Sequence, residues 1–365
     1  MIYTEFSKAF DKINFLLLRH KLYLLGFRDP ILSWIMSFIT DRSLNVKFKS
    51  FLSQPYKAFS GIPQGSHLGP YLFLIYINDI GQHLDTNFLL FADDLKLYQI
   101  VKSECDCSAL QNSLSLVHDW CLKNNMELNA KKCCILSFGK SKNVIDFVYS
   151  VGEEHLDRVR SVKDLGVIFD SHLRFDEHIL HIKRRSLQKL GFIMRNTRSF
   201  SRPATLIKLF NAYVRPILEY LSTVWSPQYC NQCRAVEMVQ NKFLRFLYYF
   251  DASPPAMPVH GVVSVSIMRD YYGISLLQSR RIQLDLIVLL NIILNKIKCP
   301  ELLELINMYA PQHLVRCPEI FFVPNVKSNF ASNLPVHRIH RLGNKCPLDI
   351  FNCTKKDIRK LILDV

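Results

Sequence analysis

Two adjacent aspartates, Asp93 and Asp94, stand between two short apolar runs and could bind a divalent metal ion. The runs have the length of hairpin strands, so the two carboxylates would lie at the turn. Two Mg²⁺ ions about 3.5–4 Å apart, one activating a nucleophile and one a leaving group, require carboxylates from more than one element. Glu5, at the end of a predicted strand over Ile2–Glu5, is the candidate for the additional carboxylate. Against this interpretation, aspartate is a common turn residue and a charge near a chain end is usually solvated.

Two further segments contain residue types suited to close contact with a ligand. Residues 60–70, SGIPQGSHLGP, have three glycines and two prolines ahead of an apolar stretch, which is typical of a backbone that approaches a ligand closely. An ordinary loop at the start of a helix is the alternative for that segment. In residues 6–11, FSKAFD, Ala9 and Phe10 place a small and then a flat, bulky side chain beyond Glu5.

The elements that would position these residues include both helices and strands, which predicts a mixed α+β fold. Asn14 is a suitable N-cap for a helix that ends before Gly26, and Asp29 followed by Pro30 is a typical start for the next helix. The alternation of apolar residues with lysines over residues 45–51 predicts a half-buried strand. The predicted helices cover residues 14–25, 29–39, 71–80 and 108–124, and the other predicted strands cover 89–91, 95–98, 134–138 and 161–169.

The chain carries 46 lysines and arginines against 31 acidic residues, a formal net charge of +15. Such an excess predicts a polyanionic partner, nucleic acid first and an anionic membrane surface second, with a basic protein that lacks such a partner as the remaining alternative. Residues 179–216 are helical in pattern and contain nine basic residues and no acidic one. The nine are Lys183, Arg184, Arg185, Lys189, Arg195, Arg198, Arg202, Lys208 and Arg215. This region would hold phosphates while an acid-bearing sheet performs chemistry with metal ions.

Length and composition exclude several classes of protein. With 365 residues, 49% of them hydrophobic, the chain is too long for a stapled miniprotein and too apolar for a disordered one. No stretch reaches the ~20 uncharged apolar residues of a membrane span, and Glu5 and Lys8 argue against a secretion signal. The eleven cysteines are scattered and odd in number, and Cys230 and Cys233 lack a second pair at zinc spacing. We therefore expect reduced thiols in a nuclear or cytoplasmic protein that is not secreted.

Five short segments, in their order along the chain, resemble the reverse transcriptase palm of non-LTR (LINE-type) retrotransposons, most closely the jockey-like elements of insects. YTEFSKAFDKI is similar to that family's motif A, SGIPQGSHLGPYLFLIYINDI to motif B and LLFADDLKLY to motif C. MELNAKKCCILSFGK resembles motif D, and VKDLGVIFD resembles motif E, the primer grip. LFNAYVRPILEYLSTVW and VQNKFLRFL resemble the thumb and the segment after it. The stretch from QSRRIQLDLIVLLNIILNKIKCPELL through IHRLGNKCPLDIFN resembles the C-terminal end of those open reading frames, so the resemblance covers nearly the whole chain. A more distant alternative is a group II intron maturase or a telomerase relative, which shares the palm.

The resemblance implies an RNA-directed DNA polymerase in which a primer 3′-OH attacks the α-phosphate of a deoxynucleotide, with two Mg²⁺ ions as cofactors and Mn²⁺ as a substitute. Asp93 would bind both ions with Asp94 in support, and the position of Glu5 normally carries the other metal-bridging aspartate. The carbonyl of Phe6 would be a further metal ligand, and Phe10 would be a steric gate that excludes a 2′-OH. Gln64 and Gly65 would lie against the nascent base pair and template, and Lys132 would be the general acid for pyrophosphate. The primer–template backbone would be contacted by Lys183, Arg184 and Arg185. The implied partners are an RNA template, a DNA primer and deoxynucleoside triphosphates, with no membrane and no obligate protein partner.

Two departures from the family pattern predict an impaired enzyme. Glu5 stands where the family has aspartate, Mg²⁺ demands near-ideal octahedral geometry, and a misplacement of ~1 Å can cost ~10²-fold in rate. The chain also begins at motif A, without the fingers segment and the apurinic-type endonuclease of the intact element. We therefore expect an N-terminally truncated copy with weak or no catalysis. The alternative function is a catalytically inactive nucleic-acid-binding remnant.

For the architecture, we predict an α+β palm, an antiparallel sheet backed by helices with partial fingers, over residues 1–173, which hold motifs A to E. A basic helical thumb would follow over residues 174–250, and a helical C-terminal region of unknown role over 251–365. In that last region, Arg280, Arg281 and a basic tail over residues 338–360 suggest RNA contact, and a solvated surface is an equal alternative.

Overall fold

The computed structural model describes residues 1–82, 84–139, 144–197, 200, 202–251, 254, 263–310, 319–326 and 329–361. The chain forms two compact units. Unit 1 comprises Met1–Val162 with Asp170–Leu173, and unit 2 comprises Lys163–Phe169 with Arg174–Val365. Residues 174–250 and 251–365, which the sequence analysis treats as separate regions, both belong to unit 2, where Leu277 packs into the same core as Phe243. Arg198, one of the nine clustered basic residues, lies outside the described residues.

Unit 1 combines short strands with four helices among its described residues, so the mixed α+β class is correct. Its helices are α1 Phe15–Leu24, α2 Ile31–Ile39, α3 Gly69–Ile77, which continues into a 3₁₀ turn over Asn78–Gly81, and α4 Glu104–Lys123. Its strands are β1 Ile2–Glu5, β2 Ser43–Leu44, β3 Lys47–Phe48, β4 Phe51–Leu52, β5 Tyr56–Lys57, β6 Asn87–Phe91, β7 Asp94–Tyr98, β8 Cys134–Ile135, β9 Ser150–Val151, β10 Glu154–His155 and β11 Asp157–Arg158, followed by β12 Ser161–Asp164 and β13 Val167–Asp170 at the boundary with unit 2.

The main sheet of unit 1 has the strand order β11-β8-β1-β7-β6. Its pairs are antiparallel except for β11 with β8, which is parallel. The core of the unit is formed by apolar side chains of β1, β7 and all four helices, among them Ile2, Leu97, Leu18, Phe73 and Leu114. A sheet with one apolar face against helices is the usual solution for an α+β unit.

The local sequence signals are confirmed for α1 and α4, but not for α2, which begins at Ile31 with Pro30 instead of Asp29 at the N-cap position. The Asn14 side chain accepts hydrogen bonds from the amides of Leu16 at 2.9 Å and Leu17 at 3.1 Å, which caps α1. Gly26 follows the helix with a φ of 95°, a conformation that glycine adopts at little cost. The predicted buried face of α4, Leu110, Leu114, Val117 and Cys121, lies in the core.

The predicted half-buried strand over residues 45–51 is wrong. The segment forms the two short strands β3 and β4 with a turn between them, and Val46 and Phe48 are 59% and 70% exposed. Alternation of apolar and charged residues identifies an extended backbone but not the surface that covers its apolar face. The predicted strand over residues 161–169 is likewise two strands, β12 and β13, because Leu165 and Gly166 turn the chain with φ of 44° and 88°.

Apart from the parts of β12 and β13 in residues 163–169, the described residues of unit 2 form mainly helices. Its helices are α5 Asp176–Asn196, α6 Pro203–Tyr213, α7 Arg215–Glu219, α8 Ser222–Trp225, α9 Cys230–Phe250, α10 Val265–Tyr272, α11 Leu277–Ile293, α12 Pro300–Glu304, α13 Asn329–Ser332, α14 Pro335–Lys345 and α15 Lys355–Lys360. A first apolar core joins α5, α6, α7, α9 and the start of α11, and a second joins α11 to α14 and α15. In the described ranges of the whole chain, no helix has the length and apolar character needed to cross a bilayer. The described cysteines are free thiols.

His178 is a buried titratable group in the first core of unit 2. Its ring is 1% exposed and lies edge-on to Trp225, with 5.0 Å between ring centroids, and the amide of Ile168 donates to its Nδ1 at 3.2 Å. Burial, together with the nearby His181, lowers the pKa of His178 from 6.5 to about 4. The folded chain therefore holds this imidazole in its neutral form, with the proton on Nε2.

Acidification from pH 7 to pH 5 is expected to destabilise unit 2 by about 2 kcal/mol, because the unfolded chain takes up a proton at His178 that the folded chain excludes. The neutral His178 imidazole contributes its full stabilisation of the folded chain above pH 6.5, and this stabilisation is lost as the pH falls toward about 4. Chemical unfolding at the two pH values measures it by fluorescence in a Trp34→Phe, Trp120→Phe background, where Trp225 is the single tryptophan. His178→Asn keeps an acceptor for the Ile168 amide but cannot titrate. A pH dependence as steep in this variant as in the native chain would contradict the assignment.

Candidate active site

The acidic residues predicted to act together lie at one end of the main sheet. β1 and β7 pair so that Glu5 is directly opposite Asp94, and directly opposed residues of an antiparallel pair project from the same face. β6 and β7 form the predicted hairpin, in which Phe91 pairs with Asp94 and the turn consists of Ala92 and Asp93. Ala92 has a φ of 52°, which is uncommon for a residue other than glycine. The structure therefore brings Glu5 and Asp94 together and places Asp93 in the adjoining turn.

Lys132 is the partner of one of these carboxylates, that of Glu5. Its ammonium forms an ion pair with Oε1 of Glu5, in which the Lys132 and Glu5 side chains are 57% and 42% exposed. The turn that carries Lys132 is anchored to β1, because the Asn129 amide donates to the Glu5 carbonyl at 2.8 Å. An ion pair as exposed as this one contributes at most about 1 kcal/mol, so a ligand could displace it.

The backbone immediately after Glu5 is fixed by a β-bridge between Phe6 and Leu128. The bridge is made by two hydrogen bonds of 2.8 Å, from the Ser7 amide to the Glu127 carbonyl and from the Asn129 amide to the Glu5 carbonyl. Neither bond uses the carbonyl of Phe6, and the Phe6 side chain is buried at 4% exposure. The predicted backbone ligand is therefore held rigidly by its neighbours.

Residues 60–64 of the glycine-rich segment are hydrogen-bonded to residues 10–13 at four points. These bonds run from Ser60 Oγ to the Asp11 carbonyl at 2.7 Å, from the Gly61 amide to the Ile13 carbonyl at 2.8 Å, from the Ile62 amide to the Phe10 carbonyl at 2.9 Å, and from Gln64 Nε2 to Asp11 Oδ1 at 3.0 Å. The Arg42 guanidinium donates to the Gly61 carbonyl at 2.6 Å. The glycine-rich segment is thus attached to the backbone that follows Glu5.

Gly61 and Gly65 both have a φ of 80° but differ in their surroundings. A Cβ on Gly61 would lie 2.7 Å from the Cα of Asp11 and 2.9 Å from the carbonyl oxygen of Phe10, whereas a Cβ on Gly65 would meet nothing within 4 Å. Gly61 is therefore required by close backbone approach within the protein. Gly65 is exposed, with open space at the position predicted to face the base pair.

Phe10 is held by an aromatic neighbour. Its ring stacks on Phe73 of α3, with 4.5 Å between centroids and 21° between ring planes, and Phe73 itself is fully buried. Stacking of this kind limits the rotation of the Phe10 side chain. The ring is half-buried, as a residue at the edge of a site must be.

The sequence analysis did not single out Asp11 and Arg42, two residues that hold the glycine-rich segment in place. Asp11 binds Gln64 across 53 residues of chain, and burial lowers the pKa of the Arg42 guanidinium while Asp11 opposes that shift. Asp11 was visible only as the last letter of FSKAFD, and nothing in the sequence around Arg42 signals its contact with Gly61.

The predicted nucleic-acid contacts Lys183, Arg184 and Arg185 lie on α5 of unit 2. Ile182 and Ser186 of the same helix face the core, Arg184 and Arg185 are exposed, and Lys183 is half-buried. This leaves the three cations on the solvent side of an amphipathic helix.

The solvated-surface interpretation of Arg280 and Arg281 is wrong. Arg280 binds Glu219 through two nitrogens, and the second of these bonds, from Nη2, is 3.0 Å long. Arg281 is 2% exposed. In the basic tail, Arg338 is also largely buried and binds Asp285 at 2.9 Å. A run of basic residues in a sequence does not show whether their cations are solvated or are bound by carboxylates and carbonyls inside the fold.

The chemistry of Glu5, Asp93, Asp94 and the Phe6 carbonyl fits a magnesium ion, because Mg²⁺ prefers carboxylate and carbonyl oxygens. In the described part of the chain no three His, Cys, Asp or Glu side chains are grouped closely enough to hold a metal as they stand. At Glu5 the reason is visible, since its carboxylate is turned to Lys132.

The residues of this site fall within a stretch that matches a known family. Residues 1–194 match the model of the reverse transcriptase (RNA-dependent DNA polymerase) family, which is more than half of the chain. This chain belongs to the reverse transcriptase family. The resemblance to jockey-like non-LTR reverse transcriptases is thereby confirmed, because the similar proteins are of that kind.

Two relatives of this reverse transcriptase come from insect transposons. It is 23% identical over 254 residues to a probable RNA-directed DNA polymerase from transposon X-element of Drosophila melanogaster. It is 27% identical over 259 residues to the RNA-directed DNA polymerase from mobile element jockey of Drosophila funebris. Each alignment covers 67% of this chain and 28% of the relative, so the chain spans under a third of the proteins it resembles. Among solved structures, a telomerase from Candida albicans matches with a TM-score of 0.34 and 13% identity, over 70% of this chain and 51% of that one.

Proposed function

We propose that this reverse transcriptase domain catalyses RNA-directed DNA synthesis, transferring a nucleotidyl group onto a primer 3′-OH, and that Glu5 impairs the reaction. The observation that supports this proposal is the cross-strand pairing of Glu5 with Asp94 beside Asp93, at the end of two adjacent strands of a reverse transcriptase domain. Phosphoryl transfer depends almost entirely on positioning and charge stabilisation, which rigid neighbouring strands can supply.

The residues of the chain would divide the work as follows. Asp93, Asp94, Glu5 and the Phe6 carbonyl would hold two Mg²⁺ ions, which when bound supply charge neutralisation at the reacting phosphate, with Mn²⁺ as a substitute. Lys132 would donate a proton to the departing pyrophosphate.

Selection of the nucleotide would fall to Phe10 and to the segment around Gln64. The Phe10 ring, stacked on Phe73, would exclude a 2′-OH and so favour deoxynucleotides. Gln64 and Gly65 would lie against the nascent base pair and the template. The hydrogen bonds between residues 60–64 and residues 10–13 would keep them in position. The open space at Gly65 suits the close approach of a base.

For the architecture we propose that residues 1–173 are a palm with partial fingers, residues 174–250 a thumb, and residues 251–365 an additional helical region. The solvent-facing cations of α5, Lys183, Arg184 and Arg185, would contact the phosphates of an RNA template and DNA primer. Contacts of this kind read the shape of the duplex rather than its sequence.

A second candidate function is that of a nucleic-acid-binding remnant without turnover. The ion pair between Glu5 and Lys132 favours it, because each of the two catalytic groups neutralises the other in the ligand-free chain. Both functions predict binding to primer–template that weakens with salt.

Primer extension on an annealed RNA template distinguishes the two functions. We expect the native chain to incorporate deoxynucleotides slowly, faster in Mn²⁺ than in Mg²⁺, and Asp93→Asn to lower the rate by about 100-fold or more. Asp119→Asn, at an exposed aspartate of α4, is the matched control and should leave the rate unchanged. If the native chain incorporates no nucleotide in either metal but still binds primer–template in a salt-sensitive way, the nucleic-acid-binding remnant would be established instead. Absence of binding would overturn both functions.

A further inference from the structure

A cavity of about 480 Å³ lies within unit 2 and is lined by both charged and apolar side chains. It is bounded by the start of α9, by α11 and by α14. Its charged lining consists of Arg234, Arg281, Arg338 and Asp285. A volume of this size falls in the range of ~300–1,000 Å³ that is typical of small-molecule sites.

Arg281 is the unusual member of this lining. Its side chain is 2% exposed, yet neither Nε nor Nη1 has a hydrogen-bond partner in the described part of the chain. Burial lowers the pKa of this guanidinium, and nearby acidic groups, including Cys233 and Glu237, only partly offset that effect. Buried polar groups are nearly always hydrogen-bonded, so an unsatisfied buried guanidinium calls for a ligand.

The other charges of the cavity do not satisfy Arg281. Asp285 accepts a hydrogen bond of 2.9 Å from Arg338 through its Oδ2 atom, which pairs these two residues with each other. Asp285 Oδ1 also has no partner in the described residues. Among the residues that line the cavity, Arg281 and the exposed rim residue Arg234 therefore leave an excess of two positive charges, which Glu237 and Glu219 outside the lining partly offset.

The helix α9 adds to the positive potential. It begins at Cys230, which lines the cavity, and its N-cap Tyr229 makes no side-chain hydrogen bond to the first turn. The N-terminus of a helix of this length favours an anion through its dipole, and in this first turn the Gln232 amide donates to Oδ1 of Asn231 at 2.9 Å. Two independent features thus point to an anion in this cavity, the unpartnered guanidinium of Arg281 and the N-terminus of α9.

We propose that this cavity binds a phosphate monoester, the terminal phosphate of a nucleotide or of a nucleic acid strand. Arg281 would donate a hydrogen bond to the phosphate from Nε or Nη1, the two nitrogens without a partner in the described residues, Arg234 would contact it from the rim, and the remaining volume would receive the ester group. A monoester carries close to two negative charges at neutral pH, which matches the excess charge of the cavity. A diester, with a single charge, fits less well. The site is independent of polymerase activity.

Isothermal titration of the full chain with inorganic phosphate, adenosine monophosphate, and RNA with a 5′-phosphate or a 5′-hydroxyl tests the proposal. We expect phosphate and the monoesters to bind, and a 5′-hydroxyl RNA to bind at least 10-fold more weakly than its 5′-phosphate counterpart. Tighter binding of the phosphorylated RNA than of the mononucleotide would identify a strand end as the source of the phosphate, and the reverse order a free nucleotide.

Substitutions separate this site from a structural role of Arg281. Arg281→Met should weaken phosphate binding by 10-fold or more while leaving the melting temperature unchanged or raised, because an unpaired buried charge is removed. Arg234→Gln should weaken binding at unchanged stability. Arg245→Gln, an exposed arginine of the same helix outside the cavity, should change neither. A melting temperature lowered by Arg281→Met, with equal binding of both RNAs, would mean that Arg281 is a structural partner of Asp285 and would overturn the proposal.

Discussion

Replacing Glu5 by aspartate is expected to raise the rate of nucleotide incorporation in Mg²⁺ by about 100-fold, equivalent to about 2.7 kcal/mol of barrier. Glu5 is directly opposite Asp94, so the backbone already stands where a carboxylate is needed. The extra methylene moves that carboxylate and lets it reach Lys132. Glu5→Asp shortens the side chain, which releases Lys132 and returns the carboxylate to the edge of the sheet. Single-turnover primer extension of both proteins measures the gain.

Two control variants show whether geometry or charge is responsible for that gain. Glu5→Gln keeps the length of the side chain without its charge and should be less active than the native chain. Lys132→Gln breaks the same ion pair but removes the proposed general acid, so it should lower the rate in Glu5→Asp as well as in the native background. Equal rates for Glu5→Asp and the native chain would show that the methylene is not the defect. A faster Lys132→Gln variant would show that Lys132 only sequesters Glu5.

Gly61→Ala is expected to destabilise unit 1 by about 3 kcal/mol. A left-handed conformation costs a residue with a Cβ about 1–2 kcal/mol, and forced overpacking adds about 1–3 kcal/mol. The clash is with backbone atoms of Phe10 and Asp11, which cannot rotate away as a side chain would. The variant should also displace the hydrogen bonds that join residues 60–64 to residues 10–13.

Gly65→Ala is the matched control, because its φ is the same 80° and its Cβ meets nothing. Gly65→Ala should lower the free energy of unfolding by about 1 kcal/mol, because it has the conformational cost of a left-handed residue without the steric clash. Native-state hydrogen exchange of the amides in α1 and α3 reports the stability of unit 1 directly, which a single unfolding curve of a chain with two units does not. Equal losses for the two variants would contradict the steric explanation.

The sequence predicts well where the determinant is local. The Asn14 cap, the stop at Gly26 and the buried face of α4 each depend on residues a few positions apart, and the structure has all three. The hairpin that carries Asp93 is equally local, and the motifs on either side identified the family before any contact was known.

The parts that the sequence does not predict depend on distant neighbours. Residues 45–51 alternate correctly for a half-buried strand, yet no surface in the described structure covers Val46 and Phe48. The Lys132 partner of Glu5 lies 127 residues away, and the burial of Arg281 depends on the packing of several helices. Spacing along a chain contains no record of such contacts.

The strand order of the main sheet has a consequence for the way unit 1 acquires its structure. β1 is the middle strand, but its partners come much later: Thr4 binds the carbonyl of Leu95 across 91 residues, and Met1 binds that of Leu136 across 135. During synthesis on the ribosome, both hydrogen-bonding edges of β1 and its apolar side chains therefore stay exposed until its neighbours β7 and β8 have been made. The β6–β7 hairpin can form on its own within microseconds, whereas the sheet closes only when distant segments meet. We expect the main sheet to form in one late step, in which the amides of β1 stay unprotected from hydrogen exchange until β7 and β8 have been synthesised.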